Sequence, residues 1–402
     1  MTKRTHVRFS DVRGFTRLAV EATAGLTDLV EAMHDTIAHP VGWYAPPIAG
    51  RTRGITGLVY RSIGGVTRLV GGSLDAILAQ LTPALDGRDS SPEREAVLAA
   101  LNGVLGDYLA ASGNPLAIGM ALRRTGRALA LDRAALRAAI PQPSAKLVVL
   151  VHGLCMNDLQ WRRNGHDHGA ALARELGYTA LYLHYNTGLH ISANGRALAA
   201  RLEALVEHWP RPVEELTIVA HSMGGLVTRS ACHYGTEAGH HWLRRLRQLV
   251  FLGTPHHGAL LERGGNWIDV ILGATRYAAP FARLGKIRSA GITDLRYGNV
   301  LDQDWEGRDR FARGRDSRRH VPLPDGVRSY AAAVSIGRQA PGARLVGDGL
   351  VTVNSALGIH PEPGRCLALP RDRQWVGYGM NHMDLLSRRA VYDQIRHWLA
   401  PQ

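Results

Sequence analysis

The sequence predicts a mostly parallel α/β sheet covered by helices on both faces, with a helical N-terminal extension. Two observations predict the sheet. Leu147-Val148-Val149-Leu150-Val151 is a short, unbroken apolar run rich in branched residues, the pattern of a strand buried on both faces. From Lys146 onward, strand-like and helix-like segments alternate, which indicates parallel strands joined by helices. A third observation sets the scale. The chain has 402 residues, 45% hydrophobic and 20% charged, enough apolar material for one large core and a smaller unit.

The N-terminal region, residues 1–140, opens with an internal repeat at 13–37 and 53–77. Arg13-Gly14-Phe15-Thr16-Arg17-Leu18 matches Arg53-Gly54-Ile55-Thr56-Gly57-Leu58. Gly25-Leu26-Thr27-Asp28-Leu29-Val30 matches Gly65-Val66-Thr67-Arg68-Leu69-Val70. Apolar residues at helical spacing in each copy predict two amphipathic helices. They read either as a hairpin packed on the rest of the protein or as a pair that lies on a lipid surface, through residues 1–90, or oligomerises. Two further helices are expected near Glu93 to Ala111 and Pro115 to Ala139, separated by Ser112-Gly113-Asn114-Pro115.

The second region, residues 146–402, carries the alternation. Strands are expected near 179–184, 216–220, 249–252, 329–334 and 374–377, and helices near 169–176, 192–208, 225–234 and 386–399. The long stretch 260–326 interrupts the pattern and is expected to be a cap or lid. It has an apolar section, Trp267 to Leu284, and a charged one, with six arginines and two aspartates between Arg308 and Arg319. The charged section reads as a solvated loop, with a phosphate or lipid-head contact as the minority reading.

Charge and cysteine content narrow the class. The net charge of +14 admits nucleic acid, an anionic membrane or an arginine-rich composition. There is no nucleic-acid-binding module and no aromatic-interleaved basic strip, so nucleic acid is set aside. Three cysteines, Cys155, Cys232 and Cys366, give neither a disulfide scaffold nor a zinc pattern and suit a reducing compartment. The start of the chain has no apolar stretch of the secretory kind, and Gly54 to Leu81 is interrupted by Arg61, Arg68 and Asp75. The expected location is cytoplasmic, with peripheral attachment to a membrane left open.

The chemistry concentrates at strand ends. Ala220-His221-Ser222-Met223-Gly224-Gly225 joins a strand to a helix. Small residues two before and two after Ser222 let a sharp turn close and raise the hydroxyl above the sheet edge. The alternative reading of Ser222 is a helix N-cap. A serine nucleophile needs a base. Asp348, between Gly347 and Gly349, and His382, in Asn381-His382-Met383-Asp384, follow in the chain order Ser, acid, His. Asp294 and Asp304 are the alternative acids. His152-Gly153-Leu154 follows the first core strand, so the Leu154 and Met223 backbone N–H groups would form an oxyanion hole.

With these pieces, and with Thr254-Pro255-His256-His257-Gly258, the chain resembles the α/β-hydrolase superfamily, in particular bacterial triacylglycerol lipases and GPI inositol-deacylase-like hydrolases. The resemblance covers about residues 146–400. It implies an α/β-hydrolase fold, a Ser222–His382–Asp348 triad, and carboxylic-ester hydrolysis through an acyl-enzyme, with an acyl ester or lipid as substrate. Alanine at 220 departs from the usual glycine. His221, Gly224, His256, His257, His152 and Gly153 are expected to shape the elbow and pocket. No cofactor is expected. Some bacterial lipases of this type hold calcium near the catalytic histidine, which makes Asp384 a weak candidate ligand, although Arg388 one turn on is a poor neighbour for a cation. His166-Asp167-His168 reads as a polar loop or helix start more readily than as a metal site. The competing class is a non-catalytic lipid-surface or polymer-granule binding protein on the same scaffold.

Overall fold

The computed structural model describes residues 10–15, 90–259, 288–309, 316, 318–338 and 347–400. Its centre is an eight-stranded sheet: β1 Ala121–Arg124, β2 Arg127–Ala128, β3 Lys146–Val151, β4 Thr179–His184, β5 Glu215–His221, β6 Leu246–Leu252, β7 Arg328–Ser335 and β8 Gln374–Tyr378. The spatial order is β2-β1-β4-β3-β5-β6-β7-β8. From β4 to β8 every neighbouring pair is parallel, and only the β1–β2 hairpin and its pairing with β4 are antiparallel.

The helices are α1 Pro92–Ala111, α2 Arg133–Ala139, α3 His168–Leu176, α4 Ile191–His208, α5 Met223–Glu237, α6 Ala290–Asp294, α7 Val353–Ala356 and α8 Arg389–Leu399. Strand periodicity decides which layer each packs on. Leu147, Val149 and Val151 of β3 join one apolar cluster with Leu101 of α1, Leu198 of α4 and Leu226 of α5. Val148 and Leu150 face the other side, with Leu172 of α3 and Ile395 of α8. The continuous apolar run in β3 is therefore explained by two cores, one on each face.

The expected strands and helices of 146–400 are present, with boundaries shifted by up to three residues at most ends. Residues 382–386 form a separate 3₁₀ turn ahead of α8. Three expectations for the remainder need correction. First, 115–139 is not one helix. Thr125 (φ 51°) and Gly126 (φ 78°) supply the two left-handed residues that a two-residue hairpin turn requires, so the chain folds back as β1–β2 and only α2 is helical.

Second, residues 1–140 are not wholly a separate helical region. Residues 90–139 share the sheet and core of the hydrolase-like part, and the short helical stretch 10–15 joins them. Phe15 is buried in the same cluster, and Arg94 Nε donates to Asp11 Oδ2 at 2.6 Å. Close backbone approach seats α1 on the loops that follow β3 and β4. A Cβ on Gly103 would lie 2.2 Å from Cys155 Sγ, and one on Gly188 would lie 2.1 Å from Asn102 O. Most of the 13–37 and 53–77 repeat lies outside the described residues.

Third, the stretch 260–326 is not throughout a lid. Ile292, Leu295, Val300, Leu301 and Val321 are buried in the core shared with β3. The apolar section Trp267 to Leu284 lies outside the described residues. Among those described, no helix is long and apolar enough to cross a membrane.

Candidate active site

Ser222 sits where β5 ends and α5 begins, at φ 53° and ψ −126°. A serine in this region is strained, and such strain persists only where the surroundings over-determine the backbone. The constraints are visible. Ser222 N–H donates to Leu252 O at 2.9 Å, and Gly225 N–H donates to Ser222 O at 3.0 Å. A Cβ on Gly224 would lie 2.4 Å from Val151 O, and one on Gly225 would lie 2.0 Å from Thr254 Oγ1. The two glycines let α5 start hard against β3 and the loop after β6, which forces the turn at Ser222. The side chain of Ser222 does not cap the helix.

His382 and Asp348 meet across 34 residues of sequence. His382 Nδ1 is 2.7 Å from Asp348 Oδ2, and His382 N–H donates to Asp348 O at 3.1 Å. Asp348 Oδ1 accepts from Leu350 N at 2.9 Å and Val351 N at 2.7 Å. The positive φ of Gly347 (82°) and Gly349 (97°) shapes the loop that presents the carboxylate. Both side chains are buried. With its Nδ1–H held by Asp348, the neutral His382 ring has its lone pair on Nε2. That Nε2 makes no hydrogen bond among the described residues, so Ser222 and His382 are not bonded to each other.

His221 links the two. Its Nε2 lies 3.3 Å from His382 O, and the two rings are 4.7 Å apart. Burial and then the neighbouring His382 hold the His221 imidazole well below the usual histidine range. Behind Ser222, a Cβ on Gly153 would lie 3.0 Å from Ser222 Cβ. His152 is buried, stacks on Tyr185 at 4.4 Å and is pushed by burial down to about 3. Its carbonyl accepts from Tyr185 Oη at 2.8 Å. Leu154 follows in the same loop, which Thr187 pins by accepting Cys155 N–H at 3.1 Å. Met223 is the first residue of α5, where an N–H has no partner within the helix.

The remaining expected residues go elsewhere. His256 and His257 follow β6 and line a separate cleft with Arg229. Asp384 completes a capping box with Asn381 and pairs with Arg388 at 3.2 Å. Asp167 caps α3 and accepts from Tyr182 Oη at 2.7 Å, while His166 and His168 are joined at 2.8 Å. Asp294 takes His190 and the Ile191 N–H, and Asp304 takes the Val300 and Leu301 N–H groups. Sequence reasoning missed Tyr185 and Thr187. Both follow β4, and no motif marks them.

Comparison with known proteins agrees with this architecture. Residues 142–320 match the family model of the PGAP1-like alpha/beta domain. Similar solved structures include the mature lipase BlEst2 of Bacillus licheniformis, at 19% identity and TM-score 0.42, covering 65% of this chain and 95% of that one. The esterase Pf2001 of Pyrococcus furiosus is similar at 12% identity and TM-score 0.38, over 64% of this chain and 80% of that one. A lipase-esterase related protein of Clostridium acetobutylicum is similar at 12% identity and TM-score 0.34, over 64% and 95%. No curated protein matches the sequence.

Proposed function

Starting from a lipase/esterase-like α/β-hydrolase fold with a PGAP1-like domain, we propose that the protein is a serine hydrolase of carboxylic esters acting on acyl esters, lipids among them. One observation carries the reading: a serine is held at positive φ in a strand-to-helix elbow, and the histidine next to it in the chain lies 4.7 Å, ring to ring, from a buried His382 whose Nδ1 is held by a carboxylate.

In the proposed reaction, Ser222 Oγ attacks the ester carbonyl and passes its proton to His382 Nε2. Asp348 keeps the imidazole in the required tautomer and stabilises the imidazolium that forms. The Leu154 and Met223 N–H groups receive the oxyanion, where one such donor contributes on the order of 3 kcal/mol. His382 then protonates the leaving alcohol. The acyl group remains on Ser222 until His382 activates a water to release it. The proton transfer requires a Ser222–His382 hydrogen bond to form when substrate binds. Catalytic hydrogen bonds of this kind are often long before substrate arrives.

A serine-reactive fluorophosphonate tests the reading. Label on Ser222, with label and turnover of p-nitrophenyl acyl esters both lost in Ser222→Ala, is the expected result. An unlabelled protein that turns over neither short nor long acyl esters would instead be a non-catalytic binder of a lipid surface or polymer granule.

A further inference from the structure

A second concave site lies between α5, the loop after β6 and residues 298–300 and 318–321. It is a half-open cleft lined by Arg229, His256, His257, Arg318, Arg319 and Arg365, among others. None of these belongs to the Ser222–His382–Asp348 set, so the inference stands apart from the esterase reading.

The buried end is the informative part. Arg229 is 5% exposed, yet no carboxylate lies within ion-pair distance of it among the described residues. One terminal nitrogen donates to Val321 O at 2.6 Å, the other is 3.5 Å from His256 Nδ1, and Nε has no partner. A buried guanidinium without a counter-charge is costly, and such charges are ordinarily paired. Burial, with Arg318 nearby, brings its pKa down to about 9.

His256 is fully buried and adds a donor. If its Nδ1 accepts from Arg229, the neutral ring carries its proton on Nε2, and that Nε2 has no acceptor. The acids around the cleft are already engaged. Asp316 holds Arg318 at 2.8 Å and Arg365 at 3.1 Å, and Glu362 holds Arg365 at 2.9 Å. Asp304 is bonded by the Val300, Leu301 and Arg319 N–H groups. The Arg319 side chain, exposed at the mouth, has no acidic partner among the described residues.

We infer that this cleft binds a single small oxyanion of the phosphate class, with Arg229 and His256 at its buried end and Arg319 at its mouth. The anion would supply the counter-charge for Arg229 and His256, which line the cleft and whose Nε and Nε2 have no partner among the described residues. Planar guanidinium forks suit a phosphate's several oxygens.

The test is titration of the full-length protein with inorganic phosphate at constant ionic strength. Chloride is the matched control, and binding is followed by phosphorus-31 line broadening and by the thermal midpoint. Saturable binding at one site per chain is expected, with a higher midpoint in phosphate than in chloride. Arg229→Gln should abolish it and Arg319→Gln should weaken it about tenfold. The Arg319→Gln variant should keep wild-type fluorophosphonate labelling. Vesicles of phosphatidic acid and of phosphatidylcholine separate the sources. Capture on the first alone, competed by inorganic phosphate, identifies a headgroup. Phosphate binding without capture identifies a free anion. Equal behaviour of the wild type in phosphate and chloride overturns the site, as does full phosphate affinity in Arg319→Gln. If Arg229→Gln does not fold, these two measurements decide.

Discussion

His382 and His184 are both buried beside carboxylates, and their two ring edges are treated differently. His382 has Asp348 on Nδ1 and, among the described residues, nothing bonded to Nε2. His184, at the end of β4, has acids on both sides: Asp158 lies 3.2 Å from Nδ1, though not aligned for a hydrogen bond, and Glu95 lies 3.7 Å from Nε2. Arg123 then ties those two acids together at 2.9 and 3.2 Å. Burial works to raise the Glu95 carboxyl, and Arg123 with His184 outweighs it and holds the group below its ordinary value. A histidine with both edges faced by carboxylates anchors a hairpin to a helix. One with an unbonded ring nitrogen is what the proposed reaction requires.

The largest expected effect sharpens that contrast. His382→Ala should lower kcat by roughly 10⁶, the scale seen when the histidine of a serine triad is removed. His184→Gln should leave the rate of fluorophosphonate labelling within a few-fold of wild type. Comparable losses in both variants would erase the distinction. Next, Asp348→Asn should cost about 10⁴ in kcat with little change in the melting curve, because the amide favours the wrong tautomer. An unchanged kcat would transfer the role of acid to another residue.

Arg123→Met should act on stability instead. It strands two buried carboxylates, so denaturant unfolding should show a loss of about 3–5 kcal/mol, with kcat/KM retained in the folded fraction. A loss below 1 kcal/mol would mean that the cluster behaves like a surface ion pair. The smallest effect is a pH slope. Burial holds His152 at about 3 and His168 at about 4, against 6.5 for the free side chain. Below about pH 6.5 the unfolded chain takes up protons that the folded chain refuses. Stability should therefore fall on acidification by about 1.4 kcal/mol per pH unit for each such histidine. A flat thermal midpoint between pH 7.5 and 5.5 would contradict this.

Much of the hydrolase-like part is legible in the sequence, because its signals are local. The β3 run, the small residues around Ser222 and the glycines around Asp348 each encode a geometry within a few positions. What escaped depends on partners far along the chain. Arg123 fits the solvent face of a helix until Glu95 and Asp158 are seen around it. Thr125 gives weak warning of a left-handed turn. Arg229 looks like any polar residue of α5, and only the arrival of His256, together with the absence of an acid, distinguishes it. His256 and His257 were legible as wall residues of a pocket, but the pocket they line is a different one.

The close fit of α1 bears on where this protein can be cut. The family match begins at residue 142, yet Gly103 and Gly106 press α1 onto the loops that follow β3 and β4. A fragment starting at 142 would expose one face of the core and discard the β1 edge of the sheet. The cooperative unit thus includes residues 90–139. A protease acting on the native protein should spare the chain between 90 and 146, however readily it cleaves elsewhere.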